Sequence, residues 1–125
     1  MEKAGYESMK KLLRLPVSIL PTAIFAVNDV IAMSAFKAIK EAGLKVPEDF
    51  ALIGYDDSEY IKSLELPLTS VRQPLRQMGE IASRILIEEI ESNNGKKIGF
   101  KKVYLKPELV IRSSSLFLRK EAIKG

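Results

Sequence analysis

Neither cysteine nor histidine occurs among the 125 residues. The first absence excludes disulfides, thiolate nucleophiles and cysteine-ligated metals. The second removes the commonest general base and the commonest transition-metal ligand. A strong charge imbalance is also missing: 20 Lys and Arg face 16 Asp and Glu, for a formal net charge of +4. So mild an excess permits nucleic-acid contact without implying it. No apolar run approaches the length of a bilayer span. Met1 to Ser8 is polar where a secretory leader would be apolar. There is no P-loop and no G-x-G-x-x-G spacing, so cradling of a nucleotide phosphate is unsupported. These absences lead us to expect a soluble, cytoplasmic chain with no cofactor and no bound metal.

What is present is ordinary globular material, 46% hydrophobic and 29% charged, enough for a core in one domain or a large piece of one. The pattern alternates. Tyr6, Met9, Leu12 and Leu13 recur at helical spacing and stop before Pro16. Ala23 to Val27 is a short continuous apolar run, as expected of a strand covered on both faces. A helix is predicted from about Val30 to Ala42, with Ala32, Ala35, Phe36 and Ile39 on one stripe. Gly43 can take the left-handed conformation that ends it. Phe50 to Tyr55 is a second apolar strand, and Thr69 to Gln73 a short third. Pro74 suits the first position of a helix running to about Ser92, with Leu75, Met78, Ala82, Ile85 and Leu86 on its apolar stripe. Lys101 to Leu105 and Leu109 to Arg112 are candidate strands on either side of Pro107. Strand–helix–strand with apolar strands means an α/β fold: a parallel sheet with helices on both faces, in three Rossmann-like layers.

In such sheets ligands collect beyond the carboxyl ends of the strands. Two polar clusters fall there, Asn28-Asp29 and Asp56-Asp57. Asn28 can donate and accept, whereas a carboxylate only accepts. Together they suit a ligand rich in hydroxyls or N–H groups, such as a sugar or nucleobase. For Asp29 a helix cap is the favoured role. For Asp56, ligand contact and turn formation stand level, and Asp57 reads as a turn residue. Other clusters read more plainly. Lys96, Lys97, Lys101 and Lys102 form a solvated loop and edge, lacking interleaved aromatics or a groove-reading helix. The adjacent acids of Asp56-Asp57 and Glu88-Glu89 do not converge as a catalytic or metal site. The chain is not expected to be an enzyme.

Five segments in order carry a family resemblance. They are Pro21-Thr22-Ala23-Ile24-Phe25-Ala26-Val27-Asn28-Asp29; Ala38 to Gly43 with Val46-Pro47-Glu48-Asp49; Ile53-Gly54-Tyr55-Asp56-Asp57; Pro67-Leu68-Thr69-Ser70-Val71-Arg72-Gln73-Pro74; and Pro107-Glu108-Leu109-Val110-Ile111-Arg112-Ser113-Ser114. From about Gly5 to Ser114 the chain resembles the lactose-repressor (LacI/GalR) family of transcriptional regulators. The resemblance implies the C-terminal lobe of a type I periplasmic-binding-protein-like effector domain. It implies a homodimer and a small-molecule effector, a sugar or related compound. Operator DNA would be reached only through a helix-turn-helix head absent from this sequence. By the same resemblance Asn28 and Asp56 hydrogen-bond the effector. Gln73 and Leu75 sit where the chain crosses between lobes, with Leu75 lining the cleft. Met33 and Leu64 lie near the dimer interface, though ordinary packing explains them equally well.

The resemblance also implies a division of the chain. Residues 1–115 form part of an effector-binding and dimerisation domain, of which 75–105 belong to the other lobe, and 116–125 form a tail. Helix 75–92 is then expected to pack elsewhere, swap into a partner or mediate association. Half a cleft is expected to bind effector poorly. Two other readings stand beside this one: part of a sugar-binding receptor of a transporter, and a small α/β enzyme. The 67–74 and 107–114 segments favour the regulator.

Overall fold

The computed structural model describes residues 2–63, 65–92, 99 and 101–116. They fall into two compact units, each described by itself. The first is built from residues 2–72 and 109–116, the second from 73–108.

In the first unit, helix α1 (Glu2–Leu12) is followed by a short 3-10 turn at Val17–Ile19, strand β1 (Ala23–Phe25) and helix α2 (Asp29–Glu41). Strand β2 (Ala51–Asp56), a 3-10 turn at Glu59–Ser63 and strand β3 (Thr69–Arg72) come next. Strand β4 (Glu108–Val110) completes a four-stranded sheet in the order β1-β2-β3-β4. β1 pairs with β2, and β2 with β3, in parallel. Parallel neighbours require a crossover, and α2 supplies the first. Lys101 to Leu105, expected as a strand, has no regular structure; pairing begins only after Pro107, which lacks an N–H for a ladder.

The core forms where α2 lies on the sheet. Ala32 of α2 meets Leu52 of β2, Leu68 and Ile61, all at most 1% exposed. A second cluster joins α1 to α2 through Met9, Ala35, Ala38, Ile39 and Phe50. Small residues let these helices approach closely: a Cβ on Gly5 would lie 2.7 Å from the Ile31 carbonyl oxygen. Gly43 ends the helical segment at φ 74°, the left-handed conformation that glycine adopts without a Cβ penalty. β1 departs from the sequence expectation. Phe25 is 64% and Val27 72% exposed, so its apolar run is not covered on both faces. Phe25 and Val27 alternate with Ile24 and Ala26 along the run, and only the latter two turn toward the core.

The second unit centres on helix α3 (Leu75–Ser92). The Pro74 carbonyl accepts the first helical N–H, from Met78, at 2.9 Å. Proline's fixed φ and missing donor suit that entry. Arg76 pairs with Glu80 one turn on, and Lys101 with Glu88 at 2.8 Å. No residue of α3 is buried, and Leu75, Met78, Leu86, Ile87 and Ile90 are exposed.

Candidate functional site

The site grows from the carboxyl ends of three adjacent strands. Register pairs Phe25 with Ile53, and Asp56 with Arg72. Asn28 stands three residues beyond Phe25, as Asp56 stands three beyond Ile53. Asn28, Asp56 and Arg72 therefore stand at or just beyond the carboxyl ends of adjacent strands. The two residues expected to face a ligand from this unit thus follow neighbouring strands. Gln73 and Leu75 belong to the second unit, Gln73 half-buried and Leu75 62% exposed.

Asn28 is the N-cap of α2. Its extended backbone turns into the helix, and its Oδ1 accepts the Ile31 N–H at 2.9 Å. The expectation that Asp29 would cap is thus corrected. Asp29 enters the first helical turn, is 1% exposed, and turns its carboxylate toward the sheet. Its Oδ1 accepts the Ser70 hydroxyl at 2.6 Å and its Oδ2 the Ser58 N–H at 2.9 Å. Buried acids persist only with such partners. Glycine is needed opposite: a Cβ at Gly54 would stand 2.3 Å from Asp29 Oδ1.

Asp56 ends β2 at φ 105°, and Asp57 follows at φ 49°. Two consecutive non-glycine residues in the left-handed half of backbone space cost about 1–2 kcal/mol each, less for Asp than for bulkier residues. Surrounding bonds hold this turn. The Asp57 N–H donates to Ser70 Oγ at 3.0 Å, so one hydroxyl links the turn to Asp29. Asp57 lies in a turn as expected, but its side chain is fully buried. Arg72 Nε donates to its Oδ2 at 2.7 Å. Arg112 Nη2 lies 2.6 Å from Oδ1 as an ion pair, at an angle that leaves Oδ1 without a well-aligned hydrogen-bond donor. Burial pushes the Asp57 carboxyl up, but the Arg112 and Arg72 guanidiniums together outweigh it and hold the group below its ordinary value.

Arg112 is itself placed by β3. Its Nη1 donates to the Leu68 carbonyl at 2.7 Å, and its backbone N–H and C=O both meet Thr69 Oγ1. Ser114 Oγ accepts the Thr69 N–H and donates to the Leu52 carbonyl, wholly buried. Asp29, Asp57, Ser70, Arg72 and Arg112 were not singled out from the sequence as site residues. A signal existed in part: a buried acid after a strand needs a cation, and Arg72 and Arg112 both stand near strand ends.

Met33 is half-buried on α2, and it borders a depression of about 400 Å³ with Tyr6, Val30, Ser34, Lys37 and Tyr60. Leu64 lies outside the described residues, as do Lys96 and Lys97. Among the described residues, no three or more of His, Cys, Asp and Glu are grouped to hold a metal ion. Among them, too, no helix is long and apolar enough to cross a membrane.

Residues 1–115 match the model of the periplasmic binding protein-like domain. The chain is 39% identical over 110 residues to the HTH-type transcriptional repressor PurR of Aliivibrio fischeri (strain MJ11), covering 88% of this chain and 32% of that protein. It thus spans about a third of that relative's length. It also superposes on a LacI family transcriptional regulator from Lactobacillus casei with bound sucrose (TM-score 0.76, 30% identity, 92% of this chain and 41% of that one). The Lac repressor dimer bound to operator and the anti-inducer ONPF is similar too (TM-score 0.77, 31% identity, 91% of this chain and 38% of that one). The chain belongs to the periplasmic binding protein-like domain family, in the form carried by transcriptional regulators of the LacI/GalR type.

Proposed function

We propose that this chain supplies one wall of an effector cleft and a dimerisation surface to a cytoplasmic LacI-type regulator. What supports the cleft is that Asn28 follows β1 and Asp56 ends β2, two adjacent parallel strands, at the end of the sheet where α/β folds take their ligands. Asp56 offers carboxylate oxygens from a turn that the protein maintains against its local preference. Asn28 offers an amide beside a helix N-terminus. Acceptors and donors so spaced suit the vicinal hydroxyls of a sugar. The sucrose bound by the Lactobacillus casei regulator accords with that chemistry. Gln73 and Leu75 are proposed as further ligand-contacting residues, and residues 75–105 as part of the first lobe of the intact family fold. DNA is reached through a separate domain, and catalysis has no part.

Met33, with Val30, Lys37 and Tyr60, is proposed as the dimer surface, and Leu64, which lies outside the described residues, as a further member of it. The dimer in the Lac repressor complex accords with this. The competing reading, a transporter's sugar receptor, shares the fold but not the regulators among its relatives.

A titration of ¹⁵N-labelled chain with D-ribose, D-glucose, sucrose and a purine base tests the cleft. Amide shifts centred on Asn28 and Asp56, absent in Asp56→Ala, are the expected result. Shifts scattered elsewhere, or none with any of the four, would remove the cleft reading.

A further inference from the structure

The proposed cleft makes no use of Asp57, yet this buried acid meets two arginines. Its side chain is sealed from solvent and lies against two arginines from different segments, Arg72 at the end of β3 and Arg112 beyond β4. Its neighbour Asp56 is the proposed ligand group. The two share a backbone turn at φ 105° and 49°. An L-residue does not hold such angles unaided. The direction in which the Asp56 carboxylate leaves the sheet edge therefore depends on whatever fixes Asp57.

We propose that Arg112 is a positioning residue for ligand acceptance by Asp56, acting through its ion pair with Asp57, with Arg72 as the second arm. The proposal rests on the reading of Asp56 as a ligand group. Three observations carry it. The Asp57 carboxylate has no exposure, so without cations it would have to leave its site or take up a proton. Two N–H bonds also anchor the turn, from Asp57 to Ser70 Oγ and from Ser58 to Asp29 Oδ2. Those fix the backbone after Asp56 but do not oppose expulsion of the Asp57 side chain. Finally, Arg112 is preorganised, since its Nη1 bond to the Leu68 carbonyl and its backbone bonds to Thr69 set the guanidinium before it meets Asp57. The segment after β4 thereby reaches the effector end of the sheet without touching the effector.

A merely structural role for Arg112 predicts a different result from a positioning role, and a double-mutant cycle separates them. The full chain is prepared as wild type, Arg112→Gln, Arg112→Lys, Asp57→Ala and the Arg112→Gln/Asp57→Ala pair. Positive φ at Asp56 gives a strong intraresidue HN–Hα NOE, and D-ribose titration reads affinity. We expect Arg112→Gln and Asp57→Ala each to lose the Asp56 NOE and to weaken ribose binding about tenfold or more, in the range seen when orienting partners of a ligand are removed. The pair should lose no more than either single change, and Arg112→Lys should recover part of both signals. An Asp56 NOE that survives Arg112→Gln and Asp57→Ala would overturn the proposal. So would additive losses, or a lost NOE with ribose affinity intact. If Arg112→Gln fails to fold, Asp57→Ala and Arg112→Lys decide alone. If wild type binds no ribose, the cleft reading is what fails in that arm, while the NOE still reports whether the clamp sets the turn.

Discussion

At the scale of single residues, the site depends on small groups with no room to change. Gly54 sits where a Cβ would stand 2.3 Å from Asp29 Oδ1 and 2.9 Å from Leu68 Cδ2. Neither neighbour is the free end of a flexible chain, because Asp29 is tied at both oxygens and Leu68 is wholly buried. Gly54→Ala should cost about 1–3 kcal/mol, the usual range for overpacking, and a urea midpoint well below wild type is the expected sign. Asp57 gives the pH dependence. Its carboxyl is held below the ordinary value of 3.8, so in acid the unfolded chain binds the proton more readily than the folded one. Its contribution is complete above that ordinary value and is lost as pH falls through the lowered one. Urea midpoints measured in acid should fall off in wild type. In Arg112→Gln that contribution should already be largely missing near neutrality. A wild-type stability that rises on acidification through this range would contradict the assignment.

At the scale of elements, the helix caps show how much the sequence disclosed. The Asn28-Asp29 pair after an apolar run announces a strand end and a helix start, and both fall within two residues of the expected positions, the strand ending at Phe25 and the helix starting at Asp29. Which of the two caps was not legible. Capping preferences rank Asn and Asp alike, and the choice was made by Ser58 and Ser70, residues far along the chain that claim the Asp29 carboxylate. Asn28→Ala should therefore destabilise α2 by about 1 kcal/mol and also diminish ligand-induced shifts, whereas Asp29→Ala should destabilise more because it strips one buried and one part-buried donor of their acceptor. Melting curves of the two variants check the order. Similar physics explains the other surprises. Apolar continuity gave β1 the look of a strand covered on both faces, but cover depends on what packs on each face, which periodicity does not encode. Asp57 does lie in a turn, but the burial of its side chain was not legible because its arginine partners lie 15 and 55 positions away by their numbering. The Lys101 to Leu105 run has β-forming side chains at Val103 and Tyr104, yet both are exposed and pair with no strand.

At the scale of the whole molecule, the distribution of apolar surface sets how the chain behaves in solution. In the first unit Val17 is 88%, Ile19 63%, Phe25 64% and Val27 72% exposed, all within the short stretch that leads through β1. In the second, Met78, Leu86, Ile87 and Ile90 are exposed along α3. Scattered exposed hydrophobics are normal, but runs of large ones beside an edge strand or along a helix favour association. The two surfaces differ in kind. β1 can accept another strand's backbone as well as its side chains, while α3 has satisfied its own backbone bonds and can associate only through side chains. Concentration-dependent sedimentation should show assembly beyond a monomer, with binding of a hydrophobic dye. Phe25→Lys with Val27→Lys should lower the assembly state and the dye signal, since charge on an edge strand blocks further pairing. Ile87→Lys with Ile90→Lys should reduce dye binding through α3. Met33→Lys tests the proposed dimer surface separately, because that half-buried side chain contributes little to an exposed patch. If the β1 pair abolishes assembly and Met33→Lys leaves it unchanged, association of this chain runs through its sheet edge, and the dimer surface on α2 is not engaged at the concentrations measured.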